Sequence, residues 1–193
     1  MVHEMKRVFI VFWLLAFVPV SRAQQELFVP ANDVSFTIST DRSTYRFGEE
    51  IELKYKIRNI SNAALFVPRW LYGRDCPHKW HVRAWFEDSS GKHYYGGWGG
   101  SCSGTPIGIV ELMRRDTVLL NPMQEFEGTF ELSTDILTAS KVVRPGKYRI
   151  EASLNGWLEA EFTAAQEAEL VSMGHPFLRG EAVASMAVSI QTK

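Results

Sequence analysis

The chain has 193 residues, 46% of them hydrophobic, and a formal net charge of −1 from 21 basic and 22 acidic side chains. With no basic block, that balance argues against nucleic acid and anionic membranes as partners. The length suits one domain, large enough to bury a core without many crosslinks.

Lys6 and Arg7 precede an apolar run over residues 8–20, VFIVFWLLAFVPV, and Ser21-Arg22-Ala23 then offers small residues at a cleavage site. This pattern predicts a secretory signal peptide over residues 1–23. The mature domain then spans 24–193 and is secreted or periplasmic. The run is short for a transmembrane helix, and no second long apolar stretch follows, so no membrane span is expected after cleavage.

Beyond the leader, apolar residues recur with period two. Val34, Phe36 and Ile38 alternate with serine and threonine, and Ile51, Leu53, Tyr55 and Ile57 alternate with Glu52, Lys54, Lys56 and Arg58. Each run predicts a strand with one buried and one wet face. Weaker strands are expected over residues 64–70 and 118–121. Trp80, Val82, Ala84 and Phe86 oppose His81, Arg83, Trp85 and Glu87. Phe126, Phe130 and Leu132 oppose Glu125, Glu127, Thr129 and Glu131, while Tyr148, Ile150, Ala152 and Leu154 oppose Lys147, Arg149, Glu151 and Ser153. Asn155-Gly156 carries the strongest short hairpin signal and predicts that residues 157–162 fold back on the strand before them. Residues 163–173, TAAQEAELVSM, predict the one helix, stopped by Gly174. Ala184, Met186, Val188 and Ile190 form the last apolar face. Seven to nine antiparallel strands with one short helix near the C-terminus predict an all-β sandwich.

A family likeness adds to this reading. STYRFGEEIELKYKIRNISNAAL resembles the opening of bacterial immunoglobulin-like sandwich domains, in which Tyr-x-x-Gly-Glu leads into an alternating strand ending at Asn-x-Ser. WHVRAWFEDSSGKHYY, LNPMQEFEGTF and RPGKYRIEASL resemble the succession of turns and strands in the BsuPI-type proteinase-inhibitor family. The likeness covers about residues 34–154 and implies an immunoglobulin-like fold. The chain departs from the pattern at Asn121-Pro122-Met123, where the family places glycine third, and in the insert between Cys76 and Cys102. No inhibitory residue carries over.

The stretch over residues 74–104 concentrates both cysteines and three histidines. Cys76, His78, His81 and His93 could be combined into a zinc site, but His81 falls on the polar face of a strand. A blue-copper site would need a histidine upstream of Cys76, and only His3 in the leader qualifies. Gly100-Ser101-Cys102-Ser103-Gly104 imitates a nucleophile elbow without the helix that gives that motif meaning. In an exported chain, a disulfide between Cys76 and Cys102 is the favoured reading. In the chain-entropy model such a ring contributes on the order of 3–4 kcal/mol. Trp85, Tyr94, Tyr95 and Trp98 are expected to form a partly exposed ligand-binding patch beside that loop.

These readings converge on a non-catalytic binding or scaffold domain with no cofactor or metal, its partner a protein or a carbohydrate. A secreted inhibitor of BsuPI type is the alternative, and a small hydrolase or metal-binding protein is a second one. Asn59-Ile60-Ser61 is a glycosylation sequon only in a host that glycosylates.

Overall fold

The structure is a computed structural model and describes residues 27–69, 82–95, 108–135, 137, 144–156 and 162–192. The expected signal peptide, Cys76, Cys102 and Trp98 lie outside the described residues.

Eight strands have four or more residues: β2 (Val34–Thr40), β4 (Glu50–Asn59), β5 (Leu65–Pro68), β6 (Val82–Glu87), β8 (Thr117–Leu120), β9 (Glu125–Ser133), β10 (Gly146–Asn155) and β12 (Glu181–Gln191). Four three-residue strands complete the set: β1 (Phe28–Pro30), β3 (Thr44–Arg46), β7 (His93–Tyr95) and β11 (Phe177–Arg179). They form a three-stranded sheet, β2-β4-β9, a five-stranded sheet, β3-β12-β10-β6-β7, and a four-stranded sheet, β1-β11-β5-β8.

The first two sheets reproduce the immunoglobulin strand order. β2, β4 and β9 occupy the A, B and E places, and β12, β10 and β6 the G, F and C places. β3 pairs in parallel with β12, so the consecutive strands β2 and β3 divide their pairing between the two sheets. The core lies between them. Ile51, Leu53, Ile57, Phe86, Leu132, Ile150, Ala152 and Leu154 are fully buried there, with Tyr55, Tyr148, Val188 and Ile190 nearly so. The inward residues of the period-two pattern thus lie on the core side wherever their side chains are described; those of Trp80, Val82 and Phe130 are not.

The four-stranded sheet closes one end. Leu65, Val67, Leu120 and Leu178 face the main core. Phe66 and Phe177, stacked with ring centroids 4.9 Å apart, face a second cluster under two helices. The helices are α1 (Ile109–Arg115) and α2 (Ala164–Val171). α2 starts where sequence predicts, with Thr163 and Gln166 forming a reciprocal capping box. α1 was not expected: its seven residues are too few to display a clear helical period. It buries Val110 and Met113, and Arg114 reaches Glu169 of α2 at 2.8 Å.

The hairpin expected at Asn155-Gly156 involves residues 157–161, which lie outside the described residues. β10 itself is paired with β12 on one side and β6 on the other, so both of its edges are occupied. Gly156 donates its N–H to Gly180 O, and a Cβ there would lie 2.4 Å from Leu178 O. Glycine is required at this position for close approach of two backbones.

Candidate functional site

The Asp88 carboxylate organises the turn between β6 and β7. It accepts from Ser90 N and Oγ at 2.8 and 2.6 Å, from Lys92 N at 3.1 Å and from the Tyr94 hydroxyl at 2.7 Å. Donors converging on the ionised form hold Asp88 well below the usual carboxylate range, the Ser90 hydroxyl contributing most. Its own bond to Asp88 pushes the Tyr94 phenol up to about 12.

Of the four expected aromatic anchors, the structure places Trp85 and Tyr94 on opposite faces of the sheet. Tyr94 stands opposite Phe86 and shares its inward face, 5% exposed and edge-on to Tyr148. Its expected exposure is therefore corrected, because residues 93–95 are a strand in register with β6 and not the start of a loop. Trp85 keeps the outward register read from the sequence, yet it is only 8% exposed. It lies on an interior strand between Glu151 of β10 and Tyr95 of β7, with the His93 ring 5.9 Å away, so facing outward does not leave it accessible. The backbone of Tyr95 closes the β7 edge opposite Trp85; its side chain and Trp98 are outside what the structure describes.

Around Trp85 the outer face is polar. Glu87 accepts from Arg149 at 2.6 Å and lies 3.3 Å from His93 Nε2, and Arg149 also reaches Glu151 at 3.4 Å. The Arg149 bond holds Glu87 below its ordinary value. Sequence reasoning missed this cluster because Arg149 of β10 is 62 residues from Glu87 in the chain.

The opposite face of the sandwich carries a shallow concavity of about 450 Å³ across β2, β4 and β9. Its walls are Thr37, Lys56 and Glu127 on one side and Ser39, Lys54 and Thr129 on the other. Lys56 bridges Glu127 at 2.8 Å and Glu125 at 3.0 Å, which raises its ammonium pKa. Ordinary hydrogen-bonded or ion-paired neighbours account for the shifts of Asp88, Glu87 and Lys56. Among the described residues, no three His, Cys, Asp or Glu side chains are grouped to hold a metal, and no helix is long and apolar enough to cross a membrane.

No family model matches the chain, and no curated protein matches it either. Among solved structures it is similar to the CARDB domain of the PF1109 protein from Pyrococcus furiosus, a structure in complex with di-metal ions, at 16% identity and a TM-score of 0.39 over 83% of this chain and 94% of that one. It is also similar to a β-glucosidase from Listeria innocua, at 15% identity and a TM-score of 0.39 over 83% of this chain. A β-glucosidase from Erythrobacter marinus gives 12% identity and a TM-score of 0.40 over 82%. The chain spans only 16% and 15% of those two enzymes. Likeness at this level has no bearing on activity. The strand order itself defines the chain as an immunoglobulin-like β-sandwich.

Proposed function

We propose that the protein is an exported, non-catalytic immunoglobulin-like domain that binds a protein or carbohydrate partner. Tyr95 and Trp98 serve as anchors beside a loop closed by a Cys76–Cys102 disulfide. The observation that carries this reading is the construction of the β6–β7 hairpin. Asp88 ties its turn with four hydrogen bonds and Tyr94 plugs it into the core. The aromatic, glycine-rich segment that follows thus departs from a rigid sheet edge. A pre-organised edge lowers the ordering cost of any contact made there. The scaffold origin of the Asp88, Glu87 and Lys56 shifts favours binding over catalysis.

The test is retention of the purified domain on a panel of immobilised polysaccharides and of proteins from its own compartment, comparing wild type with Y95A/W98A. Loss of the retained partner with an unchanged melting temperature is the expected result. Unchanged retention, or collapse of stability, returns the segment to a scaffold role. Assay against a panel of proteinases decides the inhibitor alternative directly.

A further inference from the structure

Among the described residues the three-stranded sheet ends at β9, the E place, and no strand fills the neighbouring D place. β8, the strand before β9, pairs with β5 in another sheet. Among the described residues no strand pairs with this edge of β9 along its nine residues.

Hydrogen-bond parity identifies the open groups. Asn59 N donates to Gln124 O at 3.0 Å and Thr134 N to Glu49 O at 3.1 Å, so even-numbered residues direct their backbone groups toward β4. In an antiparallel ladder the alternate residues point the other way. Glu125, Glu127, Thr129, Glu131 and Ser133 thus present their N–H and C=O groups to the side away from β4. Among the described residues no backbone bond satisfies them.

Charge decides what can fill the place. The outward side chains along this edge include Glu125, Glu127 and Glu131. Glu131 stands directly opposite Glu52 on β4, a like-charge cross-strand pair, which is destabilising when isolated. Lys54 approaches Glu52 at 3.6 Å, and among the described residues Glu131 has no ion-pair partner. A second copy is disfavoured: antiparallel pairing of β9 with itself about Thr129 would set Glu127 against Glu131 twice. A strand with Lys or Arg at alternate positions would instead neutralise Glu131 and complete the row beginning at Lys56.

We propose that the β9 edge is a strand-addition site that accepts an extended, alternately basic segment of a partner protein. The segment's outward cations meet Glu127 and Glu131, and its inward side chains extend the core beside half-buried Phe126. Backbone bonds to the odd-numbered residues supply affinity, and the glutamates supply selectivity. This site lies on the sheet opposite the one that holds β7, so it stands or falls independently of the binding role proposed for Tyr95 and Trp98.

The test uses two nine-residue synthetic peptides, one alternating Lys with Val and Thr, the other carrying Glu at each Lys position. The Lys peptide is expected to bind at least tenfold more tightly, to weaken as salt is raised, and to protect the amides of Glu127, Thr129 and Glu131 from hydrogen exchange. E127K/E131K reverses the preference toward the Glu peptide. T129P removes one edge donor without touching the β4 ladder and weakens the Lys peptide at least tenfold; should it unfold, the charge-reversal variant decides. Y95A/W98A leaves peptide binding unchanged. No binding of the Lys peptide, equal binding of the two peptides, protection at another edge, or no effect of E127K/E131K overturns the proposal.

Discussion

The ring of Tyr55 lies across Gly128 on the neighbouring strand, so closely that a Cβ at 128 would come within 2.1 Å of the Tyr55 hydroxyl oxygen. The ring occupies the inward space a side chain would take, and burial raises its phenol pKa. Gly128→Ala must displace this ring or the strand. It should cost about 2 kcal/mol by overpacking. In a Tyr55→Leu background the same change should cost much less, and a double-mutant cycle by urea denaturation measures the difference. Equal costs in both backgrounds would show that the ring is not the obstacle.

Asn59 is fully buried and fully bonded. Its Nδ2 donates to Ala63 O at 2.8 Å and Leu120 O at 2.9 Å, and its Oδ1 accepts from Ser61 N at 2.9 Å and Ser61 Oγ at 2.7 Å. Asn59→Ala leaves several of these groups unpaired and should cost roughly 3 kcal/mol. Because both Nδ2 hydrogens are engaged inside the fold, the Asn59-Ile60-Ser61 sequon should stay unmodified on folded protein secreted by a glycosylating host. Intact mass after such expression checks this.

Met123 has φ 67° in the turn Asn121-Pro122-Met123-Gln124, closed by Gln124 N donating to Asn121 O at 3.0 Å. Proline second and a left-handed third residue define a type II turn, which favours glycine third. The Met123 side chain is 57% exposed and contributes little packing. Met123→Gly should therefore stabilise the fold by about 1 kcal/mol. A lowered melting temperature would show that the side chain contributes more than its exposure implies.

The Asp88–Tyr94 bond gives stability a defined pH window. The folded-state pKa of Asp88 is depressed, so its contribution is present above the ordinary value of 3.8 and is lost as pH falls toward the lower folded value. Tyr94 is raised from 10.0 to about 12, so its contribution is present below pH 10.0 and fades as pH rises toward 12. Asp88→Asn should be less stable than wild type at neutral pH, with the gap narrowing below about pH 4. Thermal melts from pH 2 to 11 check both limbs. A gap independent of pH would mean that the carboxylate's charge is not what holds the turn.

Local chemistry made much of this molecule legible in the sequence. A strand with one wet face must alternate, so Ile51, Leu53, Tyr55 and Ile57 announced their burial, and the helix formers of residues 163–173 ahead of Gly174 announced α2. What the sequence could not state is which strand lies beside which, because pairing partners are set by contacts between distant segments. That is why Asn155-Gly156 read as a hairpin although β6 and β12 occupy both flanks of β10. It is why Trp85 read as exposed when an interior position buries it, and why Tyr94 read as a loop residue when it belongs to the core. The alternating glutamates of β9 were visible from the start. Only the tertiary structure shows that they border an edge that no described strand pairs, since whether a strand is central or terminal depends on where the rest of the chain pairs.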